Sequence, residues 1–102
     1  MSYRELELQV LRWAQDRQII PRSDALSQSI KSLEELQELI SALNRKDFHA
    51  AKDAYGDLMV TLIIGCDLAG LDMVQCLEHA WNEIKDRKGY LRSDGVFVKE
   101  AA

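Results

Sequence analysis

Proline occurs once and glycine five times in 102 residues, too little of either for a collagen-like, low-complexity or disordered chain. The two cysteines, Cys66 and Cys76, lack the close-paired spacing of zinc or redox sites and are expected to be reduced thiols in a core. The longest strongly apolar run extends only from Leu58 to Cys66, with Thr61 and Gly65 inside it, far short of the roughly twenty residues of a membrane span. Arg4, Glu5 and Glu7 interrupt the N-terminus before the apolar stretch of a signal peptide can form, so a cytoplasmic protein without membrane partners is expected. Positive charge is in deficit: 13 Lys and Arg stand against 17 Asp and Glu, a net charge of −4, with Lys85 to Lys88 the one dense basic stretch. That balance disfavours binding to a nucleic-acid backbone.

What the chain does contain is globular: 47% hydrophobic and 29% charged residues, with a length that implies one domain, residues 1–102. A monomer of this size buries only about 65% of the surface of its extended chain, so partner subunits are to be looked for. Helical periodicity dominates. Ser2 is placed to cap a first helix to about Gln18, with Leu6, Val10, Trp13 and Ala14 on one stripe, and Pro21 ends that unit. A second helix is expected from about Ser23 to Asn44, its core stripe being Leu26, Ile30, Leu33, Leu36, Ile40 and Leu43. A third runs from about Asp47 to Ala69, stopped by Gly70. A fourth, from the capping-box pair Asp72 and Gln75 to about Lys88, has Gly89 as its C-cap. The turn signal Ser93-Asp94-Gly95 between Tyr90-Leu91 and Val96-Phe97-Val98 predicts a small hairpin or extended arm. The expectation is an all-α, four-helix domain with a short C-terminal hairpin or arm. Because Leu58 to Ile64 is apolar nearly all round its helix, completion by a homodimer or homotetramer is expected.

The chemistry lies in the acids. Taking Leu33 as zero, Glu34, Glu35 and Glu38 fall near 100°, 200° and 140° on their helix, one arc beside the apolar stripe. Asp53 and Asp57 form an i,i+4 pair on the face of Val60, Thr61 and Ile64, and a short loop between the two helices can bring both acidic stretches together. Carboxylates gathered without Cys or His suit a hard divalent cation, Mg²⁺ first and Mn²⁺ as its substitute. A di-iron site would need Glu three residues before His49 and His79, where Lys46 and Cys76 stand. Structural readings stand beside this one. Glu35 could complete a capping box with Ser32, Glu34 and Glu35 could pair with Lys31, and Asp53 could oppose the helix macrodipole. Asp57, next to the most apolar segment, would be costly without a partner.

Taken together, Lys31-x-x-Glu34-Glu35-x-x-Glu38-Leu39, Asn44-Arg45-Lys46-Asp47, Asp53-Ala54-x-Gly56-Asp57-Leu58-Met59-Val60, the early Trp13-Ala14 and the late run from Asn82 to Gly89 resemble the MazG-like nucleotide pyrophosphohydrolases of the small phage and mobile-element type. The resemblance implies an oligomeric all-α enzyme that hydrolyses a nucleoside triphosphate to the monophosphate and pyrophosphate with Mg²⁺. It implies Glu34, Glu35 and Glu38 from the first motif and Asp57 from the second as the metal-binding set. The chain departs from the family pattern at Ala54, where a Glu is expected; Asp53, one residue earlier, is the substitute. The metal ligands are then Glu35, Glu38, Asp53 and Asp57, with Glu34 or Glu35 as the base that takes the proton of the attacking water. Lys31, Lys85 and Arg87 are candidates to neutralise the triphosphate, Asn82 to read phosphate or sugar, and Trp13 to stack on a base. The competing class is a catalytically silent helical oligomer that serves as a binding module, which Ala54 favours.

Overall fold

The helices begin and end where side chains and backbone turns satisfy their free terminal groups. In the computed structural model, which describes residues 1–100, Ser2 Oγ accepts from the Glu5 amide, and the Glu5 side chain returns the bond to Ser2 N, a complete capping box that opens α1, Tyr3–Asp16. Asp24 caps α3, Ala25–Asn44, by accepting from Ser27 N at 2.7 Å, and Asp47 caps α4, Phe48–Leu68, by accepting from Ala50 N. Asp72 opens α5, Met73–Ile84, with bonds from Val74 N and Gln75 N. Both long helices close in Schellman turns. Lys46 N bonds Leu43 O and Asp47 N bonds Ala42 O around a left-handed Lys46, φ 56°. Gly70 N and Leu71 N repeat the pattern around Gly70, φ 75°.

The chain is mainly helical, as expected, but two boundaries differ. There are five helices among the described residues, because α2, Ile19–Arg22, is a single turn around Pro21. The first helix stops at Asp16, before the proline, and Gln18 turns the chain with φ 60°. The last helix ends at Ile84 rather than Lys88, and Gly89 is no C-cap. It starts β1, Gly89–Leu91, which pairs antiparallel with β2, Phe97–Lys99, Gly89 opposite Lys99. A side chain at Gly89 would run into the Val98 carbonyl oxygen and the Phe97 ring, so that glycine serves the hairpin.

The largest departure concerns which face is inside. The α3 stripe expected as core points outward: Leu26, Ile30, Leu33 and Ile40 are all more than half exposed. Ser32, Glu35, Leu39 and Ala42 are buried instead, packed antiparallel on α4, the most extensive helix contact in the fold. The reason is side-chain size. Gly65 lets the α3 backbone approach closely, a Cβ there lying 3.2 Å from Gln28 Cβ, and the cluster of Leu39, Ala42, Ala51 and Ala54 continues the seam of small residues. Its polar pin is Ser32 Oγ against Thr61 Oγ1 at 2.7 Å. Ser32 also reaches Gln28 O and Thr61 reaches Leu58 O, so two hydroxyl protons serve three contacts. Thr61→Val, which deletes this link at nearly constant shape, is expected to cost about 1 kcal/mol and to lower the thermal midpoint by about 4–8 °C. An unchanged melt would show that the pin contributes nothing.

A seam of small side chains leaves a thin core. Among the described residues no large side chain is fully buried. The radius of gyration is 16.0 Å, against about 13 Å for a compact domain of this length. The accessible surface is 7897 Å², where a monomer of 11.7 kDa ordinarily shows about 5,900 Å². Cys66 and Cys76 are free and only partly buried, their Sγ atoms 3.9 Å apart across α4 and α5. Burial first, then the neighbouring Cys76, pushes the Cys66 thiol up to about 11, which keeps it protonated and unreactive at neutral pH. Among the described residues no single helix is long and apolar enough to cross a membrane.

Candidate functional site

The antiparallel register of α3 and α4 follows from the Ser32–Thr61 and Gln28–Gly65 contacts, and it places the carboxyl-terminal half of α3 against the amino-terminal half of α4. The two acidic motifs therefore meet. A cavity of about 350 Å³ opens there, lined on α3 by Glu38, Ser41 and Ala42 and on α4 by Asp53, Ala54 and Asp57, with Arg45 at the connecting loop. Glu38 and Asp57 are exposed at its walls. Asp53 is at the rim, its side chain 3.9 Å from His49 Nε2.

Glu35 is the buried acid. It retains 8% of its surface, and its Oε2 has no hydrogen-bond partner among the described residues. Burial, then the negative charges of Glu38 and Asp57, hold its carboxyl above the ordinary glutamate range, while Lys31, 3.7 Å from Oε1, acts in the opposite sense. The expected cost of a carboxylate beside apolar surface thus falls on Glu35. Asp57, where it was anticipated, is exposed. The capping-box reading of Glu35 does not hold either, because Ser32 lies two turns inside α3 and bonds Gln28 O and Thr61. For Glu34 the structural reading does describe its contact: it is exposed and bonds Lys31 Nζ at 3.1 Å. Burying an acid in this way has a signed consequence. A carboxyl whose folded-state pKa is raised binds more protons folded than unfolded between the two values, so stability falls as pH rises through that window. In metal-free buffer Glu35→Gln is expected to flatten the pH dependence above the ordinary glutamate range and to be at least as stable as the parent at pH 7, measured by urea midpoints. A variant with the parent's pH slope would remove Glu35 from the account.

The remaining candidates lie elsewhere. Lys31 is tied to Glu34 and Glu35. Trp13 is part-exposed on α1 with the Arg17 guanidinium 4.6 Å over its ring. Asn82 is on α5, and Lys85 and Arg87 follow its last turn; all three are exposed and none lines the carboxylate cavity. The cation that does line it is Arg45, which is not among the expected site residues. It bonds Ser41 Oγ at 2.9 Å and lies 3.9 Å from Asp47. Its signal was spacing: Glu38, Ser41 and Arg45 fall at i, i+3 and i+7 on one helix face.

A hard divalent cation suits this donor set chemically. The cavity's acidic donors, Glu38, Asp53 and Asp57, are all oxygen and negative charge is in excess there, while Glu35, whose buried Oε2 lacks a partner among the described residues, does not itself line the cavity. Among the described residues no three His, Cys, Asp or Glu side chains already converge on one point, so the exposed Glu38 and Asp57 would have to turn toward each other to share an ion. Ala54, 4% exposed, is part of the small-residue seam and lines the same cavity, so this position is used for packing. A wider, shallower depression of about 660 Å³ lies at the α4–α5 junction, lined by Asp67, Leu71, Cys76 and His79 among others. Its lining carries two carboxylates, Asp67 and Asp72, against three in the α3–α4 cavity, which is the better chemical site for a cation. Comparison with protein families, with curated proteins and with solved structures finds no match to this chain.

Proposed function

We propose that the protein is a Mg²⁺-dependent nucleotide pyrophosphohydrolase of MazG-like type, converting a nucleoside triphosphate to its monophosphate and pyrophosphate. The observation that carries the reading is Glu35, a buried carboxylate with an oxygen that lacks a partner among the described residues, raised in pKa by burial, by Glu38 on the same helix and by Asp57 across the α3–α4 seam. Structural acids on a solvated face do not accept such a cost. Glu38 and Asp57, with Asp53 at the rim, would hold the ion, and Mn²⁺ could replace Mg²⁺. When bound, the ion supplies positive charge against the phosphate oxygens and favours ionisation of water. Arg45 offers the triphosphate a fixed cation from the cavity edge. Of the two candidate bases, Glu35 is preferred over Glu34. Its pKa is raised toward the operating range while Glu34 is exposed and occupied by Lys31, so Glu35 takes the proton of the attacking water.

The same proposal includes a second copy of the chain. The accessible surface exceeds that of an ordinary monomer of this mass by about 2,000 Å², an amount in the range of stable protein interfaces. The exposed stripe of Leu26, Ile30, Leu33 and Ile40 on α3 supplies the apolar face. Light scattering is expected to give a dimer or tetramer of the 11.7 kDa chain; a monomer at micromolar concentration would refute this part. The catalytic part is tested by incubating the protein with the common nucleoside triphosphates and Mg²⁺ and measuring pyrophosphate. Turnover is expected. Its absence with every nucleotide, combined with an unshifted melt in Mg²⁺, would favour the silent binding module.

A further inference from the structure

Cys66 and Cys76 are ten residues apart along the chain, and the turn between α4 and α5 brings them together. Left-handed Gly70 closes α4, Leu71 N bonds Cys66 O at 3.0 Å, and α5 departs at 99° to α4. Cys66 in the last turn of α4 therefore faces Cys76 in the first turn of α5, with 3.9 Å between the sulfurs. That is contact without a bond, about 1.9 Å longer than a disulfide. Rotation of the two side chains and a small shift of α5 can close the gap. No residue of α5 is buried, and its start is tied to α1 by Arg4 on Asp72 at 3.1 Å. An element with so little buried surface shifts at low cost.

The two thiols differ in access. Cys76 lines the depression of about 660 Å³ at the α4–α5 junction, and Cys66 does not. Among the charged residues of that lining Asp67 and Asp72 outnumber His79, which disfavours a bulky anionic oxidant such as glutathione disulfide and admits a small uncharged one. We propose that Cys66 and Cys76 form a dithiol switch that hydrogen peroxide closes into an intramolecular disulfide, fastening α5 to α4. The Cys76 thiolate attacks a peroxide oxygen, the O–O bond breaks, and the departing hydroxide leaves as water with the proton that the thiol gave up; Cys76 becomes a sulfenic acid. The Cys66 sulfur then attacks the Cys76 sulfur, the S–O bond breaks, and the hydroxyl leaves with the Cys66 proton as a second water. Two thiols lose two electrons and two protons, and the peroxide gains them. Cys66 suits the second step. Burial and the neighbouring Cys76 hold it protonated, the share due to Cys76 ends when that sulfur is oxidised, and contact distance offsets a small thiolate fraction. Neither cysteine lines the carboxylate cavity, so the switch is independent of the pyrophosphohydrolase reading.

The test treats the intact, reduced protein, freed of reductant, with a small excess of hydrogen peroxide. Mass spectrometry under denaturing conditions is expected to show a single chain lighter by two hydrogens, a change that dithiothreitol reverses. By closing the loop from Cys66 to Cys76 the bond is expected to raise the thermal midpoint by about 10 °C and to slow amide exchange along α5. Cys66→Ser is expected to stop at a sulfenic acid on Cys76, which dimedone traps, and Cys76→Ser to react more slowly than the parent. The mass change is read on the parent chain, so it decides even if a variant fails to fold. Thiols that survive the peroxide, disulfides formed only between chains, sulfinic acids without a bond, or a bond that leaves both the melt and the exchange of α5 unchanged would overturn the proposal.

Discussion

Glu38→Gln is expected to abolish pyrophosphate release, a loss of about a hundredfold or more in kcat, while the protein keeps its fold and oligomeric mass. Glu38 lines the cavity together with Asp57 and Asp53 and is one of the two charges that raise the Glu35 carboxyl. The amide keeps its volume and removes the negative charge on which a divalent cation depends. Because Glu38 is exposed, the substitution disturbs no packed contact, and its removal relieves repulsion on Glu35. Circular dichroism and the urea midpoint in metal-free buffer should therefore match or exceed the parent. Retained turnover would exclude Glu38 as an essential ligand, and a lost fold would assign it a structural role that its exposure contradicts.

Asp57→Asn separates metal binding from structure by the sign of its effect. The carboxylate of Asp57 makes no salt bridge among the described residues and adds to the charge that burdens Glu35. Without metal, the variant should be as stable as the parent or slightly more stable. With Mg²⁺ at about ten times the dissociation constant, the parent gains about 1.4 kcal/mol from mass action, roughly 6 °C in a domain of this size. Asp57→Asn should lose most of that rise together with activity. If Asp57 were instead held by donors that fold the protein, its replacement would cost about 1–3 kcal/mol in metal-free buffer and leave the Mg²⁺ response intact. That pair of results would remove Asp57 from the ligand set.

Local features of this chain were legible without coordinates. Ser2 as a cap, Asp47 and Gly70 as the limits of α4, Asp72 at the start of α5 and the Ser93-Asp94-Gly95 turn all stand where the chain places them. Each depends on groups within four or five residues of one another, so the sequence window contains the whole interaction. The approach of the two acidic motifs was legible for a related reason, since a short loop between long helices leaves them little choice but to run antiparallel. The end of α5 was not. Helix periodicity continues through Lys88, but Gly89 pairs with a strand ten residues further on, and that partner lies outside any helical window.

By itself, then, the sequence determined an all-α chain, the order and caps of its long helices, and the pairing of two carboxylate motifs across one turn. Tertiary structure alone decided which side of α3 is covered. Hydrophobicity favours burying Leu26, Ile30, Leu33 and Ile40, yet Ser32, Ala42, Ala51, Ala54 and Gly65 let two backbones approach more closely than bulky side chains allow. That choice carries Glu35 into the seam and rotates Arg45 to the cavity edge, and it leaves the apolar stripe outside. No local rule anticipates this, because the preference of one helix face over another is a comparison between faces of different segments, and only the packed arrangement makes that comparison.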